Sequence, residues 1–178
     1  SLDSATEAVD TLSADSSAEE IATATSDLAD AGDDIAALLE EGTADAELGL
    51  DFLSSTTSAT DTITNQENSD PEDVADNLNS LITSAGSVTE NLTDLDDDQI
   101  DQVNQSTTNI LSTTTELVAD STLSESTVQE TIDAIETLVN GAIVASNQSI
   151  SDDVLTQVKA LADAAGLSVE LTPVDGEQ

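Results

Sequence analysis

A single lysine, Lys159, stands against 39 aspartates and glutamates in this chain of 178 residues, leaving a net charge of −38. Ion pairs cannot hold such a chain together. Self-repulsion at this density works against any compact state. Salt relieves it, because the screening length falls from about 10 Å at 0.1 M to about 3 Å at 1 M. The charge therefore points to a saline medium, to bound divalent cations, or to both. It excludes nucleic acid as a partner, since affinity for phosphate needs Lys and Arg. Attraction to anionic lipid is excluded for the same reason.

The apolar inventory narrows the fold further. Hydrophobic residues make up 37% of the chain, and Phe52 is its only aromatic. A core must then be built from Leu, Ile, Val and Ala, without the large areas that aromatics bury. Closely crossing helices suit such a core.

Six segments open alike, with a capping residue, acidic or polar residues, and then an aliphatic anchor. They start at Ser17, Asp45, Asp70, Asp96, Ser124 and Ser151. Their anchors Ile21, Leu48, Val74, Ile100, Val128 and Val154 recur with a period of about 27 residues, the mark of an internal repeat. Each opening is chemically a helix start. Ser or Asp accepts from the free amides of the first turn, and Pro71 occupies a first-turn position. Carboxylate pairs such as Glu72-Asp73 and Asp97-Asp98 face the positive end of the dipole. Apolar residues then recur at helical spacing, most clearly over Val128, Ile132, Ile135, Leu138, Val139 and Ile143. Gly32, Gly86, Gly141 and Gly166 follow their anchors at a similar distance each time, as kinks, caps or close crossings.

These features predict an all-α fold: an up-and-down antiparallel helical bundle or short α-solenoid, built from helical repeats of about 27 residues over residues 1–166. Residues 167–178 read differently. Leu167, Val169 and Leu171 alternate with polar residues before Pro173, a strand-like signal. This tail is expected to act as a linker or as a strand donated to a neighbouring copy.

Catalytic chemistry lacks its side chains. The chain has no His, Cys, Tyr or Trp, and its one basic residue is Lys159, read as a solvated surface residue. The usual general base, thiol nucleophile and oxyanion clamp are thus missing, and no phosphate-binding loop or dinucleotide fingerprint occurs. The chain is not expected to be an enzyme. Calcium or magnesium is the cofactor the donor set permits, because both take oxygen ligands. Asp94, Asp96, Asp97, Asp98 and Asp101 form the densest cluster. It resembles the start of an EF-hand loop but lacks its sixth-position Gly and twelfth-position Glu, so capping and solvation are the competing account.

Asn91, Asn104 and Asn147 head N-glycosylation sequons, and the Ser/Thr-rich stretches 54–64 and 112–115 offer O-linked sites. No cysteine is present for a disulfide or lipid anchor, and no apolar run spans a membrane. The chain opens on Ser1 without a basic-then-apolar leader, which fits a mature product or a piece of a longer protein. One trypsin site, after Lys159, suits an exposed location. The expectation is an extracellular or cell-surface structural protein, a homo-oligomer or polymer forming a filament, sheath, surface layer or matrix in saline surroundings. The alternatives are a spacer or adhesion module of a larger surface protein, and a secreted protein binding Ca²⁺ or another divalent cation.

Overall fold

A computed structural model describes residues 1–66, 69–119 and 122–166. Within them the chain forms seven α-helices and no strand: α1 (Leu2–Asp10), α2 (Ala18–Glu40), α3 (Ala46–Thr64), α4 (Pro71–Glu90), α5 (Asp97–Val118), α6 (Glu125–Ala145) and α7 (Asp152–Ala164). The fold is all-helical. The strand-like reading of the tail, with Leu167, Val169 and Leu171, lies outside the described residues.

All six expected openings are helix starts. Ser17 and Asp96 form reciprocal capping boxes with Glu20 and Gln99. Asp45, Asp70, Ser124 and Ser151 each accept from a backbone amide of the turn that follows. Removing such a cap typically costs about 1 kcal/mol. The far ends lack the complementary charge: none of the seven helices carries a basic residue in its last turn. Backbone geometry closes two of them instead. After α2, Gly42 (φ 67°) lets the Gly42 and Thr43 amides return to Leu39 and Leu38 carbonyls. After α6, Asn147 (φ 54°) does the same, with Asn147 and Gln148 amides returning to Val144 and Ile143. Both are Schellman closures.

The helices sort into two rows. α2, α4 and α6 lie side by side, as do α1, α3, α5 and α7, and helices of one row pack against the other. α4 is enclosed by α2, α3 and α6, whereas α7 rests on α5 and does not touch α6. Side-chain hydrogen bonds join next-but-one helices. Thr6 Oγ1 donates to Ser55 Oγ (3.1 Å), Ser84 Oγ to Asp33 Oδ1 (2.8 Å) and Thr113 Oγ1 to Asp61 Oδ1 (3.1 Å).

Gly32, Gly86 and Gly141 sit inside helices because there is no room for a side chain. A Cβ on Gly86 would lie 2.7 Å from Thr137 Cγ2 and 2.9 Å from its carbonyl carbon; one on Gly141 would lie 2.7 Å from the Gly86 carbonyl oxygen. The α4 and α6 backbones therefore meet almost directly. Gly32 leaves space for Phe52, whose ring is wholly buried.

Threonine completes the core. Thr25, Thr56, Thr60, Thr89, Thr107, Thr114, Thr127 and Thr131 are buried among Leu, Ile, Val and Ala. Their methyl groups pack, and most hydroxyls bond to a carbonyl one turn back in the same helix. Thr25 does so to Ile21 (2.7 Å), Thr89 to Ala85 (2.6 Å) and Thr114 to Ile110 (2.7 Å). A buried hydroxyl satisfied in this way avoids most of its desolvation cost. Thr56 and Thr60 fall within one stretch read as a carrier of O-linked sugar, and Thr114 within the other; their burial removes them as acceptors in the folded state.

Candidate functional site

A groove of about 880 Å³ runs across α2, α4 and α6. The outward face of α4 forms its floor, with Asp76 and Asn79. Asp30 and Asp33 line it from α2, Glu130 and Asp133 from α6. Small residues at the flanks, among them Ala29 and Ala134, keep it open.

The groove's carboxylates differ in their surroundings. Asp33 is held by the Ser84 hydroxyl. Burial pushes the Asp76 carboxyl above its ordinary pKa, and the negative field of Glu130, Glu72 and Asp73 adds to this. One turn before Asp76 on α4, outside the groove lining, Glu72 behaves oppositely. The Thr127 hydroxyl donates to one of its oxygens, and the Ser124 backbone amide to the other (2.5 Å). Those bonds, Thr127 first, hold Glu72 below the usual carboxylate range. Both polar atoms of the Asn79 side chain are buried and make no hydrogen bond.

These side chains offer carboxylates, amides and hydroxyls but no partner that would activate a nucleophile. Nor do they converge: among the described residues no three acidic side chains are grouped closely enough to share a metal ion.

The residues singled out in the sequence are placed as follows. Asp94 occupies the turn before α5 with φ 56°, Asp96 is the α5 N-cap, Asp97 and Asp98 lie in its first turn, and Asp101 is exposed on the next. Asp96 is engaged by the Gln99 amide at 2.9 Å, and the cluster does not gather around one point. Asn91 caps the end of α4, its Nδ2 donating to the Ser87 carbonyl (2.9 Å). Asn104 is only 5% exposed; its Nδ2 donates to the Ser149 carbonyl (3.2 Å), and its Oδ1 accepts from the Ser151 amide (3.3 Å). Asn147 is exposed in the turn after α6 and is the open sequon of the three. Lys159 pairs with Asp163 at 3.0 Å on the solvent side of α7, where both side chains are exposed.

No local pattern announces the groove itself. Its acids come from three helices well separated in sequence. The signal the sequence does hold is the pairing of acids three positions apart on both flanking helices, Asp30 with Asp33 and Glu130 with Asp133.

No protein-family model matches this chain, and neither curated protein sequences nor solved structures include one significantly similar to it. Among the described residues no helix is long and apolar enough to cross a membrane.

Proposed function

We propose that this chain is a non-catalytic structural protein of a saline extracellular setting, a subunit of a filament, sheath, surface layer or matrix. The observation that carries this reading is a constant step. Residues joined between next-but-one helices stand 47 to 55 positions apart, from Asn104–Ser151 to Glu72–Thr127. Of the five left-handed residues among the described ones, three, Gly42, Asp94 and Asn147, stand at a matching interval. Consecutive helices thus pair into hairpins, and α1/α2, α3/α4 and α5/α6, the consecutive pairs that pack most closely, form a short α-solenoid with α7 laid on α5 at its last end. Stacks of this kind are extended scaffolds whose surfaces serve assembly.

The chemistry agrees with that role. The donor set is poor in catalytic groups, and the acidic exterior is suited to concentrated salt. Association between copies has to use apolar contact or shared divalent cations, because no basic patch meets the acidic one. Val144 (56% exposed) and Leu155 (37% exposed) are the apolar side chains available near the α6–α7 turn. Electron microscopy and sedimentation in calcium-containing saline test the proposal. Ordered polymers are expected. A chain that stays monomeric at high concentration in that medium overturns it.

A further inference from the structure

Three sequons offer an amide nitrogen, and the fold leaves one of them free. Asn104 is only 5% exposed, and its Nδ2 donates to the Ser149 carbonyl. Asn91 is half-buried with its Nδ2 on the Ser87 carbonyl, and Leu92, the middle residue of that sequon, is 1% exposed. Asn147, Gln148 and Ser149 are all exposed, and nothing among the described residues bonds to the Asn147 side-chain amide or the Ser149 hydroxyl. We propose that Asn147 is an N-glycosylation site, the single sequon that the folded chain carries modified, and that its sugar comes from a lipid-linked oligosaccharide. The proposal rests on the extracellular setting inferred above.

The turn after α6 presents this sequon through its backbone. Asn147 and Gln148 take successive left-handed conformations (φ 54° and 69°), which return their amides to the Val144 and Ile143 carbonyls. Asn adopts that conformation more readily than most residues, so the turn by itself accounts for an Asn at 147. It does not call for a hydroxyl two positions on, which is the second half of the acceptor motif. Asn104 anchors the far side of the turn through the Ser149 carbonyl and the Ser151 amide. The turn is thereby fixed in place without the use of any side chain of the sequon.

The transfer needs only a transferase and the sugar donor. Asn147 Nδ2 bonds to the anomeric carbon of the first sugar. The bond from that carbon to the donor's phosphate oxygen breaks, and the lipid phosphate leaves with the electron pair. The amide gives up one of its two protons and keeps the other. The same product at Asn104 needs room that its buried nitrogen lacks. At Asn91 the transferase has to lift Leu92 out of the core to reach both ends of the motif. A sugar on Asn147 stands beside Val144, which is 56% exposed and whose carbonyl the Asn147 backbone amide meets at 3.2 Å. It therefore governs how closely another copy approaches that end of α6.

Mass spectrometry of the full chain, purified from its source, tests this. A Glu-specific protease separates the three candidates: Asn147 falls in peptide 137–170, Asn91 and Asn104 in peptide 91–116. Peptide 137–170 should carry the sugar, located at Asn147 by fragmentation, with peptide 91–116 bare and the whole chain heavier than 18.2 kDa. Ser149→Ala, made in the same cells, should lose all of the added mass. The fold uses only the main chain of Ser149, so its circular dichroism should match the wild type. Asn147→Asp keeps a residue suited to the left-handed backbone; it should also lose the mass, and it serves if Ser149→Ala does not fold. A bare peptide 137–170 overturns the proposal, as does sugar on peptide 91–116, or a Ser149→Ala chain that keeps its added mass. Polymers built from chains with a bare Asn147 would leave the assembly reading standing and sink this one. A sugar on Asn147 in a chain that never polymerises would do the reverse.

Discussion

The last two helices of the stack are attached in two different ways. α6 is held to α4 by backbone contact at Gly86 and Gly141 and by the ionised Glu72. α7 is held to α5 by burial of Val154 and Leu161 and by a neutral amide, Asn104, which clamps both sides of the turn leading into it. One attachment depends on the absence of side chains and the presence of charge. The other depends on a buried polar group with no charge at all. The Asn104 clamp itself carries no titrating group, whereas the first attachment includes a carboxylate.

The largest test of this contrast is steric. Gly141→Ala places a methyl group 2.7 Å from the Gly86 carbonyl oxygen, and backbone on that side cannot swing away. Overpacking of this kind should cost about 2–3 kcal/mol, read as a lowered denaturation midpoint. A midpoint equal to the wild type would mean that α4 and α6 are further apart than described. Next in size is Asn104→Ala, which leaves the Ser149 carbonyl and the Ser151 amide without their partner. A loss of about 1–3 kcal/mol is expected, and it should be the same at pH 7 and in mild acid. A strong pH dependence of that loss would erase the distinction between the two attachments.

Thr107 gives a smaller effect of opposite sign. Its hydroxyl is buried on α5 and unpaired, as is that of Thr56 on α3. Thr107→Val keeps the shape and removes the orphan, and should stabilise by about 1 kcal/mol in thermal melts; a loss of stability would show that the hydroxyl has a partner. Smallest of all is Lys159→Ala. The pair with Asp163 is exposed, and its orientation, with the cation nearer the helix start, is the weaker one. The midpoint should move by less than about 0.5 kcal/mol, and a larger shift would give the single cation a structural role.

Much of the helix layout was legible from local chemistry. A cap acts within one turn, so Ser17, Asp45, Asp70, Asp96, Ser124 and Ser151 could be read one segment at a time. The two rows were not legible, because they depend on which helices meet. The partners of Glu72 and Asp61 lie about 52 positions away. The threonine share of the core was hidden by a different habit, that of counting Thr as polar. With Thr included, Leu53, Thr56, Thr60 and Ile63 make a helical stripe, and all four are buried. Asn104 shows the same difficulty. As a sequence it is a sugar acceptor; as a structure it is a buried clamp.

Phe52, seated where Gly32 leaves room between α2 and α3, has a spectroscopic consequence. It is the one aromatic ring in the chain, with no tyrosine or tryptophan beside it. The near-ultraviolet dichroism of the whole protein is therefore the signal of a single ring in a single place. Loss of that weak band while the helical signal remains would report loosened packing around Phe52 at the α2–α3 contact, without a label or a substitution.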